Sequence, residues 1–267
     1  MNIIGLTKPA LVFVICGLFA PPVQAEIRFV EGDKNIIDMA QWPHLEISGN
    51  ISSPDADFDR LEALIKAALL SSNVLVGGTL APQVMLNSSG GDVRAAMTIG
   101  RFLRAFNAFI IVGVNAECSS ACVLILAAGA KRIVFTGGRV GLHRPHFEES
   151  LFAGLTTTQA RDKYSEMERS VRDYLKDLGM PEALFEKMRS IPSRRLEYLK
   201  EDELEALSLV GFDPAMDELE RAKEKEFFAK DPAKYKYLND LRNCLDSGKP
   251  LHDCENSVRQ AYKRSKD

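Results

Sequence analysis

The chain has 267 residues, 46 % of them hydrophobic, with 34 Lys and Arg against 37 Asp and Glu and a formal net charge of −3. That size and apolar content suit one globular α/β domain with an appendage. So small a net charge excludes a bulk electrostatic pull toward nucleic acid or anionic lipid, and no nucleic-acid partner is expected.

The chain opens on a short positive region at Lys8, followed by the apolar run PALVFVICGLFA from Pro9 to Ala20. That run is too short to span a bilayer. Val23-Gln24-Ala25 is a small-x-small cleavage pattern. Residues 1–25 therefore read as a secretory signal peptide cut before Glu26, with a periplasmic or secreted mature chain. An uncleaved anchor is the alternative. A lipoprotein reading through Cys16 is disfavoured, because no small residues precede that cysteine.

The next elements alternate. Leu45 to Ile51 (LEISGNI) reads as a strand. Asp55 to Leu70 reads as a helix, with Leu61, Leu64, Ile65, Ala68 and Leu69 on one face. Pro82 to Asn87 (PQVMLN) is a short buried strand ended by Ser88-Ser89-Gly90-Gly91. Asp92 to Phe106 has helical spacing through Val93, Ala96, Met97, Gly100 and Leu103. Ala108 to Val114 (AFIIVGV) is continuously apolar, as in a strand buried on both faces. Ser119 to Ala130 is a helix, and Arg132 to Phe135 and Arg139 to Leu142 are short strands around Gly137-Gly138. This alternation argues a mostly parallel sheet covered by helices. Ligand chemistry in such folds sits where strands end and helices begin.

After His143 helices dominate. Thr156 to Leu178 is long, with a stripe of Tyr164, Met167, Val171, Tyr174, Leu175 and Leu178 that reads as core or oligomer contact. Pro181 to Arg189 and Glu201 to Leu209 are shorter helices. From about Pro214 the chain is highly charged. Asp231-Pro232 starts a helix, and Leu238, Leu241 and Leu245 share one face. Ser247-Gly248 breaks it, and Pro250 to Lys263 forms a second helix. A solvated tail is the alternative to this hairpin. No internal repeat is present.

Of five cysteines, Cys16 leaves with the signal, so Cys118, Cys122, Cys244 and Cys254 remain. An even number in an exported chain permits two disulfides. Short sequence separations favour Cys118 with Cys122 and Cys244 with Cys254. No histidine pair sits at ligand spacing beside either pair, so no metal is expected. A Cys118–Cys122 bridge would lock the segment between them.

Three stretches carry chemistry: NSSGG at 87–91, ECSSAC at 117–122 and GLHRP at 141–145. A serine needs a base to take its proton and donors to hold an oxyanion. A strand-to-helix turn supplies free amides and the positive end of a helix. The plain alternative is that Ser119 or Ser120 is an ordinary helix cap. Gly90-Gly91 allows positive φ and close approach by a substrate, and leaves an amide as an oxyanion donor. His143 ends a strand, and Pro145 pushes Arg144 toward extended geometry. His44, His146 and His252 have no supporting context.

Together, NSSGGDV, CSSACVLILAAG and GLHRP resemble the NSPGG, ASMGAxLLAAG and MIHQP signatures of the Clp protease proteolytic subunit. They are more similar still to those of exported bacterial relatives that share the C-x-S-A-C variant. The resemblance runs from about Leu45 to Gly211. It implies an α/β Clp/crotonase-like fold, a superhelix of repeated β-β-α units, over residues 26–213. Residues 214–267 are then an added charged α-helical hairpin. The resemblance places the nucleophile on Ser120, the base on His143 and the oxyanion amides on Gly91 and Ala121. It implies a serine peptidase-like hydrolase acting on a peptide or protein by acyl transfer, and a homo-oligomer. The family's orienting aspartate falls on Leu196, flanked by Arg195 and Glu197. Glu197 serves as third member only if the backbone shifts by one residue. A Ser–His dyad, a triad through Glu197 and a catalytically degenerate binding or scaffold protein stay open.

Crotonase-type hydratases share the glycine device but act on acyl-CoA, which is not expected outside the cytoplasm. Enzymes like signal peptide peptidase A pair serine with lysine, but Lys131 lies at the wrong end of the elbow helix. No G-x-x-x-x-G-K-[ST] occurs. No ATPase partner and no cofactor are expected, and specificity falls to the 144–156 loop and any oligomer.

Overall fold

The continuous apolar run after Ala108 forms a strand with every residue buried, and the sheet is built around it and its neighbour. We describe a computed structural model covering residues 26–32, 42–71, 75–76, 79–147, 149–213 and 251–264, with isolated positions between 218 and 244. The expected signal segment 1–25, Asp231-Pro232, the expected Leu238, Leu241 and Leu245 face, and Ser247-Gly248 lie outside the described residues.

Strands β1 (Glu26–Val30) and β2 (His44–Ile51) pair antiparallel, with Glu26 opposite Ser48 and Val30 opposite His44. A separate antiparallel pair joins β3 (Leu75–Val76) to β4 (Thr79–Leu80). Strand β5 (Gln83–Gly91) is the hinge of the main sheet. It runs parallel to β2 on one side. On the other, residues 83–86 pair with β6 (Phe109–Val112), and Ser88 pairs with Cys118 of β7 (Glu117–Ser119). The sheet thus forks. One branch continues from β6 to β8 (Lys131–Val134) and β11 (Gly211–Phe212). The other continues from β7 to β9 (Arg139–Leu142) and β10 (Glu197–Tyr198). The five junctions β2–β5, β5–β6, β6–β8, β5–β7 and β7–β9 are parallel, while the edges β10 and β11 are antiparallel. The outcome is a mixed α/β architecture around a mixed sheet.

The expected strand Pro82–Asn87 runs on through both glycines, because Ile51 pairs with Gly91 and Cys118 with Ser88. Helix α1 (Phe58–Ser71) buries Leu61, Ile65 and Ala68, and a 3-10 turn over Ser53–Ala56 precedes it. Helix α2 (Val93–Ala105) starts where the Asp92 carboxylate accepts from the Ala95 amide at 2.7 Å. It buries Val93, Ala96, Met97, Gly100 and Leu103, the face read from the sequence. Helix α3 (Cys122–Ala127) is shorter than the expected Ser119–Ala130. Its start is displaced because Glu117–Ser119 is drawn into the sheet and Ser120 takes a left-handed backbone, φ +55°.

Helix α4 (Thr157–Asp177) opens on a capping box of Thr156 and Gln159. Its stripe is core: Met167, Val171, Tyr174, Leu175 and Leu178 are buried. Helix α5 (Glu182–Ser190) and helix α6 (Glu201–Ala206) follow. Helix α7 (Leu251–Arg264) carries the buried Cys254, bridged to Cys244, and Cys118 is bridged to Cys122. Among the described residues no helix is long and apolar enough to cross a membrane.

Helix α3 is buried along its whole length, so its end carbonyls must find protein partners. They do. Leu124 O accepts from Tyr174 Oη at 2.8 Å, and Ala127 O accepts from Arg132 Nη1 at 3.1 Å. Ile125 O and Leu126 O accept from the amides of Ala128 and Gly129, both at 3.1 Å. Gly100 on α2 makes room for the Tyr174 hydroxyl, since any Cβ there would overlap it. Burial pushes the Tyr174 phenol up, despite nearby Arg101 and Arg104. Tyr174→Phe should therefore cost about 1–3 kcal/mol, the range for orphaning a buried acceptor. Urea unfolding of the two proteins measures it.

Candidate active site

The register of three adjacent strands brings the chemistry-bearing stretches to one place. Ser88 pairs with Cys118, and Ser119 pairs with Gly141. These pairings are parallel, so β5, β7 and β9 all end on the same side. Gly90-Gly91 at the end of β5, and Ser120 and His143 just past the ends of β7 and β9, therefore lie on neighbouring strands about 4.8 Å apart.

The glycine pair fits against both flanking strands. Ser88 Oγ donates to Gly49 O at 2.5 Å and accepts from the Gly90 amide at 3.1 Å. Gly90 and Gly91 take φ of +107° and +138°, values reserved largely for glycine. A Cβ at Gly90 would stand 2.6 Å from Ser120 Cβ and 3.0 Å from the Ala121 nitrogen. A Cβ at Gly91 would overlap the Ile51 carbonyl. The pair is glycine because the elbow lies against one residue and β2 against the other.

The elbow is tied on every side. Asn87 Oδ1 accepts from the Glu117 amide at 3.1 Å. The Ser120 amide donates to Gly141 O at 2.9 Å, and Ser120 O accepts from the Val123 amide at 3.1 Å. The Cys118–Cys122 bridge spans the turn between Cα atoms 5.2 Å apart, and both cysteines are fully buried. Ser120 is left half-exposed at the crest. A non-glycine residue in the left-handed region costs about 1–3 kcal/mol and survives only where its surroundings impose it. The Ala121 amide has no acceptor among the described residues.

The two serines differ sharply. Ser119 is 1 % exposed, and its Oγ donates to Glu117 Oε1 at 2.7 Å. It caps no helix; α3 begins after Ala121 without a side-chain cap. The cap reading of Ser119 fails because the residue lies in β7, where residues two apart share a face. Glu117 also accepts from Tyr198 Oη at 3.1 Å and Arg139 Nη2 at 2.9 Å. The Arg139 guanidinium lies over the Tyr198 ring, 4.9 Å from its centroid. Sequence reading passed over Glu117, although its i, i+2 relation to Ser119 in a strand was a usable signal.

His143 follows β9 and is half-buried. Its Nδ1 lies 2.7 Å from Arg144 O. A carbonyl only accepts, so Nδ1 carries the proton and Nε2 has the free lone pair. Arg144 is itself fixed, its amide donating to Ile191 O at 2.9 Å and its Nε to Arg189 O at 2.8 Å. Ser120 Oγ makes no hydrogen bond to His143 among the described residues.

Glu197 lies elsewhere. It pairs with Leu142 across β10 and β9, so by alternation it shares the Leu142 face and not that of His143. Its carboxylate takes Lys187 Nζ at 2.5 Å, and Lys187 also reaches Glu203 at 3.0 Å. The bond to Glu197, then that to Glu203, raises the Lys187 ammonium above its usual range. No hydrogen bond joins Glu197 to His143. Leu196 packs beside Gly141, where a Cβ would stand 2.9 Å from its Cδ1. No grouping of side chains able to hold a metal occurs among the described residues.

Gly90→Ala should cost about 1–3 kcal/mol, as overpacking of a closed site does. Ser120→Gly should leave stability unchanged or raise it, because glycine adopts φ near +55° freely. Paired denaturation curves under non-reducing conditions distinguish the two.

Residues 81–180 match the model of a protein family described as Clp protease. No curated protein matches the chain.

Proposed function

We propose that this chain, residues 81–180 of which match the Clp protease family model, is a serine peptidase-like hydrolase working through Ser120 and His143. The observation that carries this reading is the left-handed Ser120 at the β7–α3 turn, with the strand bearing His143 on one side and Gly90-Gly91 on the other.

In the proposed reaction His143 Nε2 takes the Ser120 hydroxyl proton, while Nδ1–H stays on the Arg144 carbonyl. The Ser120 alkoxide adds to a peptide carbonyl, and the amides of Gly91 and Ala121 hold the oxyanion. The unpartnered Ala121 amide supports this assignment. His143 then gives its proton to the leaving amine. Water, deprotonated in turn by His143, releases the acyl group from Ser120. The Arg144 carbonyl fixes the tautomer, as a carboxylate would. Being neutral, it stabilises the imidazolium less. We therefore read the site as a dyad with a backbone orienter rather than a triad through Glu197.

Export through the signal segment, ATP-independent action in the periplasm, assembly as a homo-oligomer, the β-β-α superhelix and the C-terminal hairpin belong to the same proposal. The family resemblance and the sequence patterns support them.

Labelling with a fluorophosphonate probe tests the reading. Wild type and Ser119→Ala should be labelled, and Ser120→Ala should not. Wild type labelled no more than Ser120→Ala would sink the peptidase reading and leave a binding or scaffold protein. Glu197→Gln separates dyad from triad. The dyad predicts a labelling rate within about twofold of wild type, whereas losing a true triad orienter costs on the order of 10⁴.

A further inference from the structure

A cavity of about 490 Å³ opens beside Gly91. Its wall is apolar where Ile51, Val93, Phe147, Leu151 and Met167 line it. Its lining also includes Asp92, Arg94 and His146. If Gly91 supplies an oxyanion amide, this cavity receives the substrate side chain next to the attacked carbonyl. An apolar wall alone would select an aliphatic or aromatic side chain. The charged residues in the same lining alter that selection.

Asp92 is committed: its Oδ1 caps α2 by accepting from the Ala95 amide. Arg94 is exposed, and its guanidinium has no ion pair among the described residues. Other cations of the fold are engaged: Arg139 is paired with Glu117, Lys187 with Glu197 and Arg144 with the Arg189 carbonyl. His146, also exposed, adds a ring N–H donor to the same lining. A planar guanidinium with free donors matches a carboxylate, which it binds through paired N–H groups. An aliphatic stem against the apolar wall with a carboxylate at Arg94 describes an acidic side chain, glutamate above all.

We propose that Arg94 is a specificity-determining residue that selects peptides with an acidic side chain at the residue whose carbonyl is attacked. The proposal rests on the peptidase reading for its placement of Gly91. Its test is built to fail separately from that reading.

Acyl-dipeptide coumarin amides ending in Glu, Gln, Leu or Lys serve as substrates. Wild type should prefer Glu over Gln by roughly tenfold in kcat/KM, as a charge-assisted hydrogen bond allows. Arg94→Ala should bring that ratio near one, Arg94→Lys should keep part of it, and Arg94→Glu should turn the preference toward Lys. A wild-type ratio near one, or a ratio unmoved in Arg94→Ala, overturns the proposal. Fluorophosphonate labelling of Ser120 in each preparation reports the peptidase reading independently. If no substrate is cut, anisotropy of dye-labelled, C-terminally amidated peptides on Ser120→Ala decides. Glu peptides should bind tighter than Gln peptides only while Arg94 is present. Equal binding overturns the proposal, as does a preference seen only with a free C-terminal carboxylate, which would assign Arg94 to chain ends.

Discussion

The left-handed backbone at Ser120 is the constraint around which the site is built. A residue with a Cβ at φ +55° is held against its own preference. The turn is sustained from four directions: the Gly141 carbonyl, the Val123 amide, the Cys118–Cys122 bridge and the close approach of Gly90. Each of these anchors lies on a different element or closes the turn itself. A shift in any one strand would let Ser120 relax into an ordinary helical start, with its hydroxyl pointing elsewhere.

That constraint explains the treatment of α3. A helix free to roll cannot hold the turn at its own beginning. Its four last carbonyls are all engaged, two of them by side chains from outside the helix, Tyr174 and Arg132. Arg132 is 1 % exposed, and burial depresses its guanidinium to about 10, with Asp213 opposing the shift and Arg104 adding to it. It is still cationic at neutral pH. A cation at a helix C-terminus is favoured by the helix dipole, and here the burial that costs Arg132 solvation also fixes α3 in place. Asp213 closes the arrangement by pairing with Arg104 at 2.9 Å and donating its amide to Ala130 O at 2.9 Å.

The parts legible in the sequence were those with local causes. The α2 and α4 faces followed from helical spacing, and the Asp92 and Thr156 starts from capping chemistry. The apolar run after Ala108 announced a buried strand. Ser120 was separable from Ser119 by the family motif. The illegible parts were set by partners far along the chain. Strands β10 and β11 are two residues long and exist because β9 and β8 offer them edges. The boundary between β7 and α3 depended on a pairing with Gly141 more than twenty positions away, which no local preference encodes. Glu117 gained its role from Tyr198 and Arg139, and the alternation that turns Glu197 away from His143 needs the β10 register.

The electrostatics of the site follow from where its carboxylates are spent. Glu117 answers Ser119, Tyr198 and Arg139, and Glu197 answers Lys187. Asp92 caps α2. Among the described residues no carboxylate hydrogen-bonds to His143, and a backbone carbonyl holds the imidazole instead. At the cavity beside Gly91, Arg94 has no ion pair among the described residues. An imidazole oriented by a neutral group gains little help as positive charge develops on it. On the proposed peptidase reading, a substrate that brings its own carboxylate to Arg94 compensates through binding, by holding the attacked carbonyl still between Ser120 and the two amides.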